Sequence, residues 1–265
     1  MNPSKAVAFP RTNAQMILWL CAITPLLAQV RGTGPTSEPK SVSVPFIGCA
    51  SSGQLEIREA PKGTSKSLPI SPNDARALAY YKSADGIGVL APRGWYCQGD
   101  SGSGGYGLFL SPKPIDRSEP GWDSVDGPGI DINHMTGWAS GRYEIAEIMA
   151  RVYPAYRDFA KRVLESMDFS VPAGPYPGDV LTYRGENIVE FITPAQTEGL
   201  GTHFSWLKKN DSPVAGTAIV TGETVYSGDP PNLVLLSVRL PADLARLTPV
   251  IVRYVEDETV SVPRK

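Results

Sequence analysis

Breaker residues set the scale on which this chain can fold. Its 265 residues include 26 glycines and 25 prolines, spread along the whole length without a repeat. Together they well exceed the roughly 12 per cent of ordinary usage, and a glycine or proline ends or bends most regular elements within a few residues. The chain therefore reads as many short elements joined by turns. An apolar content of 42 per cent is enough to give those elements a common core.

Lys5 and Arg11 precede an apolar run from Met16 to Leu27, and Ala28 then opens a polar stretch. This is the layout of a secretory signal peptide, with residues 1 to 28 removed on export. The run is too short to cross a bilayer as a helix, and no later segment is long and apolar enough to span one. Residues 29 to 41 are polar and breaker-rich, a flexible leader ahead of one globular domain over 42 to 265. Removing 1 to 28 takes away two basic and no acidic side chains, so 25 basic residues become 23 against 27 acidic, a net charge of −4. With no Lys/Arg cluster, nucleic acid and anionic membranes are poor partners. The expected location is the periplasm or the external medium.

Export also changes the reading of the cysteines. Cys21 goes with the leader, and an oxidising compartment favours pairing Cys49 with Cys97 over leaving two buried thiols. The bridge would close a loop of about 50 residues, worth a few kcal/mol at most.

Val42 to Ile47 alternates like a strand. Ser51 to Leu68 is polar and reads as loop. Ser71-Pro72-Asn73-Asp74 starts a short capped helix that runs on to Tyr81. Ile87 to Ala91 and Tyr106 to Leu110 are strands, with a hairpin whose tip lies at Ser101 to Gly105. From Ser140 to Met167 apolar residues recur at three- and four-residue steps, predicting one long helix kinked or split by Pro154. Val180 to Tyr183, Ile188 to Ile192, Thr217 to Val220, Leu233 to Arg239 and Val250 to Val255 read as strands. The fold class expected is α+β, with a mainly antiparallel sheet, one long helix and one short one.

Three segments together, Gly48-Cys49, Ala91-Pro92-Arg93-Gly94-Trp95 with Cys97-x-Gly99, and Glu198-Gly199-Leu200-Gly201-Thr202, resemble a family of uncharacterised exported bacterial proteins. The resemblance covers most of the chain after residue 28. It implies export and a single compact domain, and it carries no activity.

Cys97 to Gly102 resembles the stretch around the nucleophilic serine of chymotrypsin-like proteases. That family places its histidine and aspartate before the serine, whereas His134 and His203 both follow Ser101. Asp131-x-x-His134 has the acid–base spacing of GDSL-type hydrolases, which makes Ser101, Asp131 and His134 the candidate catalytic residues of a serine hydrolase. Asp123, Asp126 and Asp131, with Asn133 and His134 close by, lie around Gly127-Pro128-Gly129, an oxygen-rich loop suited to calcium, and His134 with the carboxylates would also suit zinc. Trp95, Tyr96, Tyr106 and Trp122 flank polar loops as a candidate recognition patch, with Trp138 nearby. His203 and Glu198 could form an acid–base pair. No P-loop, dinucleotide fingerprint, Cys-x-x-Cys or His-Glu-x-x-His motif is present. The preferred reading is an exported, non-catalytic binding or envelope-associated module without a cofactor. The alternatives are the serine hydrolase and a calcium-stabilised recognition domain.

Overall fold

Strands β1 (Val42–Gly48), β2 (Ser51–Gly53), β3 (Ile57–Arg58) and β4 (Ser65–Leu68) open the fold of this computed structural model, which describes residues 41–53, 57–86, 88–115, 125–222 and 230–261. The expected signal peptide and nearly all of the expected leader lie outside the described residues. Helix α1 (Pro72–Ala77) follows, then β5 (Leu78–Lys82), β6 (Val89–Pro92), β7 (Tyr96–Gly102), β8 (Gly105–Ser111) and β9 (Gly129–Met135). Next come α2 (Gly141–Val152), α3 (Arg157–Glu165), β10 (Val180–Tyr183), β11 (Ile188–Thr193) and α4 (Leu200–His203). Strands β12 (Val214–Thr221) and β13 (Asn232–Arg239) precede the closing helix α5 (Thr248–Ser261).

The strands form two sheets. The smaller has the order β4-β1-β5-β6, and the larger runs β10-β11-β12-β13-β9-β8-β7-β2-β3. Both are mixed, because β1 pairs parallel to β5 and β2 parallel to β7. The mainly antiparallel sheet with one long helix is therefore corrected. The periodic stretch from 140 to 167 is two helices with a 3-10 turn at Pro154–Tyr156 between them. Proline has no N–H to continue the helical ladder, so the apolar periodicity survives while the helix does not.

Two further corrections have one cause. Ser71 Oγ accepts the Asp74 N–H and starts α1 as expected, but the chain turns extended at Leu78. Leu78 to Tyr81 are buried between β1 and β6, so sheet pairing outweighs their helical neighbourhood. The opposite happens at the C-terminus, where Val250 to Val255 is helical. Leu247, Ile251, Tyr254 and Val255 share one buried face at helical spacing, and Pro249 sits in the first turn, where it is tolerated. In the segment read as loop, β2 pairs with β7 and β4 with β1, while β3 adds to β2 at the edge.

One face of the large sheet packs against α5 and the small sheet. Ile130, Ile132, Leu236 and Ile251 belong to that core. The other face is covered by α2, α3 and α4 around Met135, Met149, Phe191 and Leu235. The chain passes from the small sheet to the large one between Gly48 and Ser51, and there Cys49 is bonded to Cys97 of β7, a sequence separation of 48. The Gly99 N–H donates to the Ala50 carbonyl at 2.8 Å beside it. Replacing both cysteines (Cys49→Ala with Cys97→Ala) should cost about 4 kcal/mol on the chain-entropy account. Urea denaturation measures this, and a loss under about 1 kcal/mol would show that packing alone holds the two sheets together.

Candidate functional site

Three residues in one row across the large sheet form the floor of an open cleft. Asp100 on β7 stands opposite Gly107 on β8, which stands opposite Asn133 on β9. Directly opposed residues send their side chains to the same face. A side chain on Gly107 would have no room: its Cβ would lie 2.5 Å from Asp100 Oδ1 and 2.7 Å from Asn133 Oδ1. Glycine thus lets both oxygens stand over one point of the floor. The cleft has a volume of about 720 Å³. Helix α2 adds Glu144 and Glu147 to its lining, and the segment after α4 adds Phe204 and Trp206.

Asp131 sets the orientation of the floor amide. It is 1 per cent exposed, and its Oδ2 accepts from Asn133 Nδ2 and from the Trp206 backbone N–H, both at 3.0 Å. With its amino group held below, Asn133 turns its carbonyl oxygen toward Asp100. Burial pushes the Asp131 carboxyl up from 3.8 to about 7; the Trp206 N–H and Asn133 amide oppose the shift, and the Asp100 charge adds to it.

His203 reaches the cleft on a short helix of one turn. Its Nδ1 lies 2.9 Å from Glu198 Oε1, and its Nε2 lies 3.8 Å from Glu147 Oε1. The Glu198 carboxyl is lowered mainly by the hydrogen bond with His203. Glu147 also pairs with Arg151 at 3.1 Å, and the Arg151 guanidinium lies 3.8 Å over the Tyr176 ring. Burial, and secondarily the Glu147 charge, raise the Glu144 carboxyl. Asp179 fixes the mount of His203: Oδ2 accepts the Leu200 N–H at 2.9 Å, and Oδ1 accepts the Thr193 hydroxyl at 2.7 Å. Thr193 Oγ1 in turn accepts the Gly201 N–H at 3.1 Å. A Cβ at Gly199 would collide with Asp179 Oδ1, and one at Gly201 with Val214. The glycines of the Glu198–Thr202 segment are therefore packing requirements of this turn.

The candidate hydrolase residues are not brought together. Ser101, Tyr106 and His134 form the neighbouring row, so their side chains take the opposite face from Asp131 and Asn133. Tyr106 stands between Ser101 and His134, two strand spacings or about 10 Å apart. The His134 ring meets the Tyr106 ring edge-on with centroids 4.5 Å apart. Its buried Nε2 has no hydrogen-bond partner among the described residues, and burial lowers its pKa. Asp131 and His134 were expected around a glycine-containing loop, yet they lie on β9, the central strand of the large sheet.

The candidate ligands of calcium are likewise dispersed. Asp123 lies outside the described residues, Asp126 is exposed, and Asp131 is enclosed by Asn133 and Trp206. Among the described residues, no three His, Cys, Asp or Glu side chains converge on a point where a metal ion could sit. The aromatic patch is also divided. Trp95 packs against the core and donates its backbone N–H to Tyr81 Oη at 3.1 Å. Tyr96 is exposed at the far end of β7, about 16 Å along the strand from Ser101. Tyr106 lines the cleft, Trp122 lies outside the described residues, and Trp138 is exposed on the turn before α2.

The chain matches no family model, no curated protein and no solved structure. The geometry therefore carries the functional reading alone. Sequence reasoning missed Gly107, Glu144, Glu147, Asp179 and Trp206 as parts of one site. Only the Glu144/Glu147 spacing on one helix face was there to be read.

Asp131 gives a direct test of the floor. A carboxyl whose folded pKa lies above its unfolded value keeps its proton longer in the folded state. Its contribution to stability is complete below about pH 4 and is lost as pH rises to about 7. Asp131→Asn retains an oxygen acceptor and cannot titrate. The stability of the variant relative to the parent should therefore increase from pH 4 to pH 8 in urea denaturation. A difference independent of pH would show that Asp131 does not carry this proton.

Proposed function

We propose that this protein is an exported, non-catalytic binding module that takes an organic cation in the acidic cleft. One observation carries the reading. The described lining contains three carboxylates, Asp100, Glu144 and Glu147, together with Asn133 Oδ1, and contains no lysine or arginine. A cleft lined by one sign of charge concentrates ligands of the other. Asp100 stands on β7 and the two glutamates on α2, and the three do not gather around one point, which favours an extended ligand with separated positive charges over a single ion. Its volume lies within the roughly 300–1,000 Å³ of small-molecule sites.

Support for export comes from the leader pattern and from the Cys49–Cys97 bond, since such bonds persist in oxidising compartments. Helices of the described residues offer no candidate membrane span.

Isothermal titration calorimetry with spermidine and agmatine, against glucose as a neutral control, tests the reading. At least one of the two cations should bind, with affinity falling as salt screens the carboxylates. Asp100→Asn should weaken binding by about tenfold, the loss of one charge-assisted hydrogen bond. Absence of heat from both cations at millimolar concentration, or binding indifferent to Asp100→Asn, would reject the proposal.

A further inference from the structure

We infer that a second site, on the face of the large sheet opposite the cleft, binds a single-chain amphipathic acid by its aliphatic tail and its carboxylate. The site is a groove of about 550 Å³, within the roughly 300–1,000 Å³ of small-molecule sites. Leu110, Ile130, Val238, Ala215, Ile192 and Val180 stand opposite one another in a single row across β8, β9, β13, β12, β11 and β10. Opposed residues share a face, so one apolar stripe crosses six strands. Its inner part is closed: Leu110, Ile130 and Val238 are at most 1 per cent exposed in the core shared with α5. Helix α5 packs on β12 and β13, and beyond it the stripe is open, with Ile192 48 per cent and Val180 59 per cent exposed. Pro249 and Val252 of α5 line the groove where this cover stops, and the small side chains of Ala242 and Ala245 leave it room.

Charge selects the occupant. The described lining holds three charged residues, Arg184, Glu190 and Arg253. Arg184 donates to both oxygens of Glu190, from Nε at 2.8 Å and from Nη2 at 3.3 Å, so these two satisfy each other. Arg253 is exposed and makes no ion pair or side-chain hydrogen bond among the described residues. The groove therefore keeps one uncompensated positive charge beside an open apolar stripe. A guanidinium takes a carboxylate through paired N–H donors. With its head on Arg253, an aliphatic tail laid along Ala215, Ile192 and Val180 removes from water the apolar surface that α5 leaves uncovered. A single positive charge matches one acidic head rather than a polyanion, and the length of the stripe favours a tail of several carbons over a short acid.

Octanoate, 1-octanol and butyrate are suitable probes: the first two share a tail and differ in the head, and butyrate keeps the head on a shorter tail. By calorimetry octanoate should bind at least about tenfold more tightly than either of the others. Arg253→Gln removes the cation from an exposed position. It should bring octanoate down to the affinity of octanol and leave octanol within about twofold of its value in the parent. Ile192→Asn removes part of the apolar floor and should weaken octanoate and octanol together, by about tenfold. Circular dichroism verifies that each variant is folded, and the three probes on the parent protein decide the matter if one is not. Equal affinity for octanoate and octanol, a preference that survives Arg253→Gln, or octanoate binding indifferent to Ile192→Asn would each overturn the assignment. Absence of heat from octanoate at millimolar concentration would do the same. The groove and the cleft lie on opposite faces of the sheet, so failure here leaves the cation reading standing.

Discussion

Strand β9 runs through the centre of the nine-stranded sheet, and its alternation decides what each face becomes. Ile130 and Ile132 enter the core shared with α5 and the small sheet, while Asp131 and Asn133 take the other face. Because the side-chain period of a strand is two, slipping the register by one residue would exchange these sets. It would turn a carboxylate and an amide toward the larger apolar core and set two isoleucines on the cleft side. Pairing with β13 from Gly129 to Met135 and with β8 from Ile130 to Met135 holds the register. The cleft floor, its acidic character and the separation of Ser101 from His134 all follow from that single alignment.

Placing Asp131 inside the fold is costly unless its charge or proton is accommodated. Two N–H donors converge on one of its oxygens, and burial keeps the proton bound at higher pH than in water. The Oδ2 that accepts the backbone N–H of Trp206 also accepts the Asn133 amino group, and so fixes the direction of that neighbour. The opposite treatment of His134 is instructive. Three positions further on and on the other face, it meets an aromatic ring edge-on and its Nε2 finds no partner among the described residues. Nearby residues with similar sequence credentials thus have different roles, set by the face each one takes.

Much of the local structure was legible because it depends on neighbouring residues. The Ser71 cap, the interruption at Pro154 and the β7–β8 hairpin with its tip at Ser103 and Gly104 arise from hydroxyl capping, a missing N–H and glycine permissiveness. The misread elements were those in which composition and packing disagree. Leu78 to Tyr81 continue a helical start yet are gripped between two strands. The β-branched residues of 250 to 255 favour strand, yet their spacing presents one buried helix face. The cleft was legible only in fragments. Asp100 and Asn133 stood in segments already singled out for chemistry, while Gly107 and Trp206 carried no local sign of their part.

By itself the sequence determined the export-like leader pattern, the charge balance, the scale of the elements and the two cysteines available for pairing. These depend on composition and on interactions within a few residues. The tertiary structure alone decided which oxygens face each other across three strands, which histidine reaches the cleft, and that Ser101 is kept from His134 by Tyr106. Those relations link residues from four separate elements. Their geometry is set by sheet register and by the packing of both faces, and neither is encoded in any one stretch of chain.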